Sequence, residues 1–116
     1  MDQVSYQHET LANGRWAELS FAEQMGNVGS EVSRAVRWQS KGRPDRMDQC
    51  VFRALELLDL TIDAADRSDL SRLKELCRAR EELCSYFLGD NEFRSTPEQI
   101  MKYYDAFALA ARARRS

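Results

Sequence analysis

Proline, glycine and histidine are scarce in this chain, and each shortage excludes something. The 116 residues include two prolines, five glycines and one histidine. So few helix breakers suit long helices, and no segment alternates apolar and polar residues as a half-buried strand does. Nucleophilic catalysis by serine or cysteine needs a neighbouring base, and the single histidine, His8, lies in a polar leader, so we assign it no role.

Long apolar runs and paired cysteines are also missing. No run is long and apolar enough to cross a bilayer, and the polar N-terminus lacks a signal-peptide core. The cysteines, Cys50, Cys77 and Cys84, form no Cys-x-x-Cys pair. Cys77 and Cys84 would lie roughly 10 Å apart on one helix, which is too far for a disulfide. We therefore expect reduced, mostly buried thiols in a cytoplasmic protein with no membrane association, no bound metal and no cofactor.

Four amphipathic segments predict an all-α fold. Apolar residues recur at spacings of three and four, and the connections between the segments are short. Short connections favour antiparallel neighbours, so we predict an up-down four-helix bundle over 16–116, preceded by a short irregular N-terminal arm over 1–15. The predicted helices cover 20–39, 45–65, 70–88 and the residues from 97 onward.

Local signals mark where these helices begin and end. Ser20 with Glu23, and Thr96 with Gln99, have the spacing of a capping box. Pro97 suits the first position of the fourth helix. The remaining signals are Asp45 as the cap of the second helix, after a break at Gly42 and Pro44, and Gly89 as the end of the third.

The third and fourth helices each carry one predicted apolar stripe. Arg80 falls inside the stripe of the third helix, so it must reach solvent or find a carboxylate, because an unpaired buried cation is costly. The predicted stripes are Leu70, Leu73, Leu76, Cys77, Leu83, Cys84 and Phe87 on the third helix, and Ile100, Tyr103, Tyr104, Phe107, Ala110 and Ala111 on the fourth.

The first helix has two faces besides its apolar stripe. A row of small residues predicts the close approach of another helix, with a groove for a ligand or a partner helix as the alternative. On the other face we expect Arg34 to lie over the Trp38 ring and to pair with Glu31, which makes a solvated face or a recognition patch. The small residues are Ala22, Gly26, Gly29, Ser30 and Ser33, and the other face is Asn27, Glu31, Arg34 and Trp38.

Basic and acidic clusters suggest two further hypotheses. The net charge is -2, yet basic residues gather around the first connection and at the C-terminus, which favours a nucleic-acid accessory module. Glu56, Asp59 and Asp63 lie on one helix face, as weak candidates for Mg²⁺ ligands. The basic residues are Lys41, Arg43 and Arg46 in the first group, and Arg112, Arg114 and Arg115 in the second.

Parts of the chain resemble known families. The Glu56-x-x-Asp59 motif is similar to one in all-α nucleotide pyrophosphohydrolases of the MazG type, but their second acidic motif, on the neighbouring helix, is represented only by Glu23 and Glu31. The runs EQMGNVGSEVSRAVRW, FRALELLDLTID and RLKELCRARE resemble a family of uncharacterised bacterial helical proteins over 16–111, which implies no activity.

A more distant resemblance concerns the order of the helices. It is similar to that of the four-helix-bundle rRNA intervening-sequence proteins and of the accessory protein of diversity-generating retroelements. This implies homo-oligomers and, for the retroelement accessory protein, nucleic-acid binding through basic surfaces. That family's Asn-Ile-Ala-Glu-Gly signature has only a loose counterpart at 27–31, and no functional residue is transferred.

Three hypotheses of function follow from these patterns. The leading one is a non-enzymatic helical bundle that acts by association with itself or with a protein partner, because the catalytic sets are incomplete and the second helix is apolar over a wide arc. The second is the nucleic-acid accessory module. The third is a Mg²⁺-dependent nucleotide hydrolase.

Overall fold

The computed structural model describes residues 14–115, except for the side chain of Arg115. Residues 1–13, which include His8 and most of the predicted arm, lie outside the described residues. A short 3-10 turn, Trp16–Glu18, precedes four α-helices, and the described residues contain no strand. The helices are α1 (Phe21–Ser40), α2 (Pro44–Ala64), α3 (Leu70–Leu83) and α4 (Pro97–Arg115), with a π-helical turn, Cys84–Leu88, after α3.

Pairs of contacting residues give the directions of α1, α2 and α4. Gly26 lies against Ala108, and Gly29 against Tyr104, so α4 runs antiparallel to α1. The turn of 41–43 reverses the chain between α1 and α2, which makes these two helices antiparallel as well. These two helix pairs form the most extensive contacts of the fold, and α1 belongs to both.

The third helix completes the bundle and runs parallel to α1. Arg72, near the start of α3, stacks on Phe21 at the start of α1. Tyr86, just beyond the end of α3, donates a hydrogen bond to Gln39 near the end of α1. The predicted up-down four-helix bundle is therefore confirmed, with α1 and α3 parallel on one diagonal.

The core lies between the facing apolar stripes. Met25, Val28, Val32 and Ala35 on α1 are fully buried, as the helical spacing predicts. Most apolar residues of α2 are buried, because this helix packs against α1 on one side and α3 on another. None of the helices in the described part of the chain is both long and apolar enough to span a membrane.

Trp16 packs at the start of α1, where the sequence predicts that it fixes the entry of this helix, and it also bonds to the end of α2, which the sequence did not predict. Its side chain is 3% exposed, and its indole N–H donates to Thr61 Oγ1 at 2.9 Å. Its backbone carbonyl accepts from the Gln24 side chain at 3.0 Å. Thr61 in turn donates to the Leu57 carbonyl at 2.8 Å. These bonds satisfy the polar atoms that the packing buries.

Both predicted capping boxes are confirmed, and one predicted cap is wrong. Ser20 and Glu23 exchange side-chain-to-backbone bonds at 2.9 and 3.1 Å, and the Thr96 and Gln99 pair repeats the pattern. Asp45 does not cap α2. The helix begins one residue earlier, at Pro44, because proline is preorganised for the first helical position and has no N–H to satisfy.

The predicted apolar stripe of the third helix needs correction at two positions, Leu70 and Cys77. Leu70 is 65% exposed because it is the first residue of α3, at the edge of the bundle. Cys77 is also exposed, since it is rotated by about 100° from buried Leu76. With Cys50 buried and Cys84 half-buried, the expectation of mostly buried thiols fails at Cys77.

The end of α3 and one position of α4 also differ from the prediction. The predicted helix over 70–88 is α-helical only to Leu83, and the last turn widens into a π-helix that ends before Gly89. On α4, Ala110 is exposed, and Ala108 takes its place in the packing against Gly26. Of the two outcomes predicted for Arg80, the structure shows the pairing with a carboxylate: its Nε lies 2.8 Å from Asp59 Oδ1.

Candidate functional site

The glycines of α1 are covered by α4. A Cβ placed on Gly29 would lie 2.7 Å from the Cβ of Tyr104, and one on Gly26 would lie 3.7 Å from the Cα of Ala108. The small-residue row therefore lets the two helices approach closely, as the sequence predicts. Beside this contact a groove of about 390 Å³ remains between α1 and α4, lined by Ser30, Ser33, Arg34, Arg37, Met101 and Asp105 among others.

A second groove lies beside the first, between α1 and α2, and Arg34 borders both. Its volume is about 400 Å³. It contains three of the four residues of the predicted recognition face and adds four residues of α2 that follow the chain reversal. We call it the Trp38 groove; it is lined by Glu31, Arg34 and Trp38 of α1, and by Arg46, Gln49, Cys50 and Arg53 of α2.

Trp38 is surrounded by cations, but not by the predicted one. Arg46 lies with its guanidinium carbon 4.9 Å from the centre of the indole ring. Lys41 Nζ lies at 5.3 Å and the Arg43 guanidinium carbon at 5.9 Å, both within the range of a cation–π interaction. Arg34 forms the predicted ion pair with Glu31, whereas the predicted stacking of Arg34 on the ring is replaced by these three cations. The predicted recognition face and the first predicted basic group thus form one surface.

Glu31 is the buried carboxylate of this groove. Its side chain is 9% exposed, and its Oε1 lies 3.2 Å from Arg34 Nη1 and 3.7 Å from Arg53 Nη1. Two guanidinium groups therefore lie close to one desolvated charge, as ion pairs that do not give Oε1 a hydrogen bond. This excludes a purely solvated face at Glu31. The sequence did not predict that Arg53 belongs to this site, because its partner Glu31 lies 22 residues earlier in the sequence, on another helix.

Asn27 does not belong to the groove. Its side chain is exposed and donates to the Glu23 carbonyl of the preceding turn at 2.8 Å. Such a bond to the residue four positions earlier satisfies a backbone acceptor locally. Asn27 is therefore part of the solvated edge of α1.

The two predicted basic groups lie at opposite ends of the bundle. Lys41, Arg43 and Arg46 lie at the end of α1, beside Trp38. Because Gly26 lies against Ala108, Arg112 and Arg114 continue toward the start of α1. The 20 residues of α1 separate the groups by about 30 Å. The side chain of Arg115 lies outside the described residues.

The three weak candidates for metal ligands do not form a cluster. Asp59 forms an ion pair with Arg80, whose raised pKa reflects mainly this hydrogen bond. Glu56 is half-buried and Asp63 is exposed. Among residues 14–115, no three Asp, Glu, His or Cys side chains are grouped as a metal ion would require.

Comparison with known proteins adds no relative. No known protein family, no curated protein and no solved structure matches the chain. The family resemblances described above remain predictions.

Proposed function

We propose that this protein is a non-enzymatic binding module, and that the Trp38 groove takes an acidic segment of a protein partner. The observation that supports this most directly is the half-buried Trp38 ring with three cations within 6 Å of its centre. Tryptophan and arginine dominate the binding energy of protein interfaces, since both combine a large contact area with hydrogen-bond donors. Arg43 already pairs with Asp45 at 3.4 Å, and the excess of cations over carboxylates around the ring suits an anionic partner.

The extent of the basic surface favours a protein segment over a nucleic acid. Five cations, Arg34, Lys41, Arg43, Arg46 and Arg53, gather at this end of the α1–α2 pair. A nucleic acid that follows a protein surface meets basic residues along its whole path. The remaining predicted basic residues lie about 30 Å away at the other end of α1. A short acidic segment needs only the local surface.

Self-association is consistent with the same chemistry. The outer face of α2 carries Phe52, which is 52% exposed, with Asp48 one turn before it and Asp63 farther along the helix, while Asp59 already pairs with Arg80. A second copy could therefore supply the acidic segment. Light scattering after size-exclusion chromatography tests this: assembly through the two faces weakens as salt is added, whereas a monomer at high concentration removes the self-association part of the proposal.

A labelled, capped oligoglutamate peptide tests the proposed surface. We expect saturable binding to the wild type by fluorescence anisotropy, and at least about tenfold weaker binding to the double variant Arg43→Ala, Arg46→Ala. The matched control is Arg112→Ala with Arg114→Ala, which removes the same charge at the far end of the bundle. This control is expected to change the affinity less than about twofold. Equal losses in the two double variants would contradict the proposed site.

Nucleic-acid binding is the second candidate, supported by the aromatic ring amid cations, where a base and its phosphates find partners. A labelled oligouridylate at low salt tests it in the same assay. Binding of this RNA more tightly than oligoglutamate, with a steep fall in affinity as salt rises, would replace the protein partner by a nucleic acid.

A further inference from the structure

We infer that the inner part of the Trp38 groove is a subsite for one carboxylate side chain of the partner, with Arg34 as its donor and Glu31 as the residue that positions Arg34. This rests on the proposed function, because the acidic segment supplies the carboxylate.

The side chains of the groove become more exposed to solvent from Glu31 through Arg53 to Arg34. The Glu31 side chain is 9% exposed, that of Arg53 is 32% exposed and that of Arg34 is 55% exposed. The carboxylate thus forms the floor of the groove, and the Arg34 guanidinium reaches its mouth. Glu31 contacts Nη1 of Arg34, and a guanidinium carries five N–H donors in a rigid plane, so the fork keeps donors for a second carboxylate.

The charges of the floor favour a singly charged ligand. Glu31, Arg34 and Arg53 together carry one positive charge, which one carboxylate neutralises. A long arginine side chain that reaches into solvent loses conformational freedom when it binds, and an ion pair with a buried partner reduces that loss beforehand. Glu31 therefore reduces the conformational entropy that the Arg34 side chain loses when the partner binds. The Arg46 guanidinium, held over Trp38, forms the opposite wall.

Arg34 and Arg37 provide a matched pair for the first test. Both lie exposed on α1 and both line the groove toward α4, but only Arg34 also lines the Trp38 groove. We expect Arg34→Ala to weaken oligoglutamate binding about tenfold, and Arg37→Ala less than about twofold. Arg34→Lys keeps the charge but loses the fork, so it is expected to restore little of the affinity. Equal effects of the two alanine variants would overturn the subsite in favour of diffuse attraction.

Glu31→Gln tests the positioning role because two explanations predict opposite signs. Simple attraction predicts tighter binding of oligoglutamate, since the surface gains a positive charge. Positioning predicts severalfold weaker binding, together with exchange broadening of the Arg34 Nε–Hε signal in NMR spectra, while a denaturant titration reports the fold separately. Tighter binding by this variant would overturn the role of Glu31.

Further probes separate the subsite from the proposed function. A matched oligoglutamine peptide is expected not to bind, and a phosphoserine peptide to bind more weakly than oligoglutamate. If phosphoserine binds more tightly, the carboxylate assignment is wrong. A further outcome is that the double variant Arg43→Ala, Arg46→Ala abolishes binding while Arg34→Ala leaves it unchanged. That result would support the Trp38 groove as the binding surface and contradict the carboxylate subsite at Arg34. If oligoglutamate does not bind at all, both proposals fall.

Discussion

At the scale of single residues, the glycines Gly26 and Gly29 of α1 differ in how much room the packing against α4 leaves for a side chain. Gly29 sits where the Cβ of Tyr104 leaves no room for a methyl group. Gly26, one turn earlier, has ordinary van der Waals space toward Ala108. Both glycines lower the intrinsic stability of the helix. Packing against α4 requires only one of them.

Alanine at these two positions should therefore have opposite effects. Gly29→Ala gains about 1 kcal/mol of helix propensity but forces an overlap that typically costs about 1–3 kcal/mol, so we expect a net loss of stability. Gly26→Ala meets no overlap and should stabilise the fold by up to about 1 kcal/mol. Urea denaturation of both variants gives the free energies of unfolding. Equal stabilisation by the two variants would contradict the close approach at Gly29.

At the scale of elements, three faces of α1 make three different kinds of contact. Its apolar stripe fills the core, its small residues receive α4, and its third face joins α2 in the Trp38 groove. Its start is fixed by the Ser20–Glu23 capping box, adjacent to the Trp16 anchor. A defect at this start should affect the whole molecule because α1 contacts both neighbours.

Loss of the cap hydroxyl of α1 should therefore be measurable. Ser20→Ala removes the acceptor for the Glu23 amide, and we expect a loss of about 1 kcal/mol in the free energy of unfolding. Ser40→Ala is the matched control, since the Ser40 hydroxyl donates to the Arg37 carbonyl at the exposed far end of the same helix. We expect it to change stability by less than about 0.5 kcal/mol in the same denaturation experiment.

At the scale of the whole molecule, two tyrosines of α4 make the stability of the bundle depend on pH. Burial holds the pKa of Tyr104 well above its usual value of 10.0, and the Glu82 carboxylate raises it further. Burial also raises the pKa of Tyr103, whose hydroxyl donates to Glu75 Oε2 at 2.6 Å. Both phenols are thus protonated in the folded protein where an unfolded chain would ionise them.

Stability should therefore fall in alkaline solution. Below pH 10 both tyrosines are protonated in the folded and in the unfolded state, so they do not make the free energy of unfolding depend on pH. Above pH 10 the unfolded state releases protons that the folded state keeps, so the free energy of unfolding decreases as pH rises, by up to about 1.4 kcal/mol per pH unit for Tyr104. Denaturant titrations above pH 10 check this, with a shallower decrease expected for Tyr104→Phe. An unchanged slope in that variant would contradict the assignment.

Much of the architecture could be predicted because its causes are local. Capping boxes depend on residues three apart, and an amphipathic stripe depends on the 3.6-residue period, so Ser20, Thr96 and the buried face of α1 follow from sequence spacing. The small residues at Gly26 and Gly29 predicted a close contact for the same reason. The pairing of Arg80 with a carboxylate followed from the cost of burying its charge.

The sequence by itself determined the helices, their caps and the apolar faces that assemble them into a bundle. Only the tertiary structure decided which side chains meet across helices: Trp16 with Thr61, Arg53 with Glu31, and the cations of the chain reversal around Trp38. These contacts depend on the register of one helix against another, which the packing of the whole core sets and which no local spacing encodes. The Trp38 groove belongs to this second class, because its two walls come from different helices.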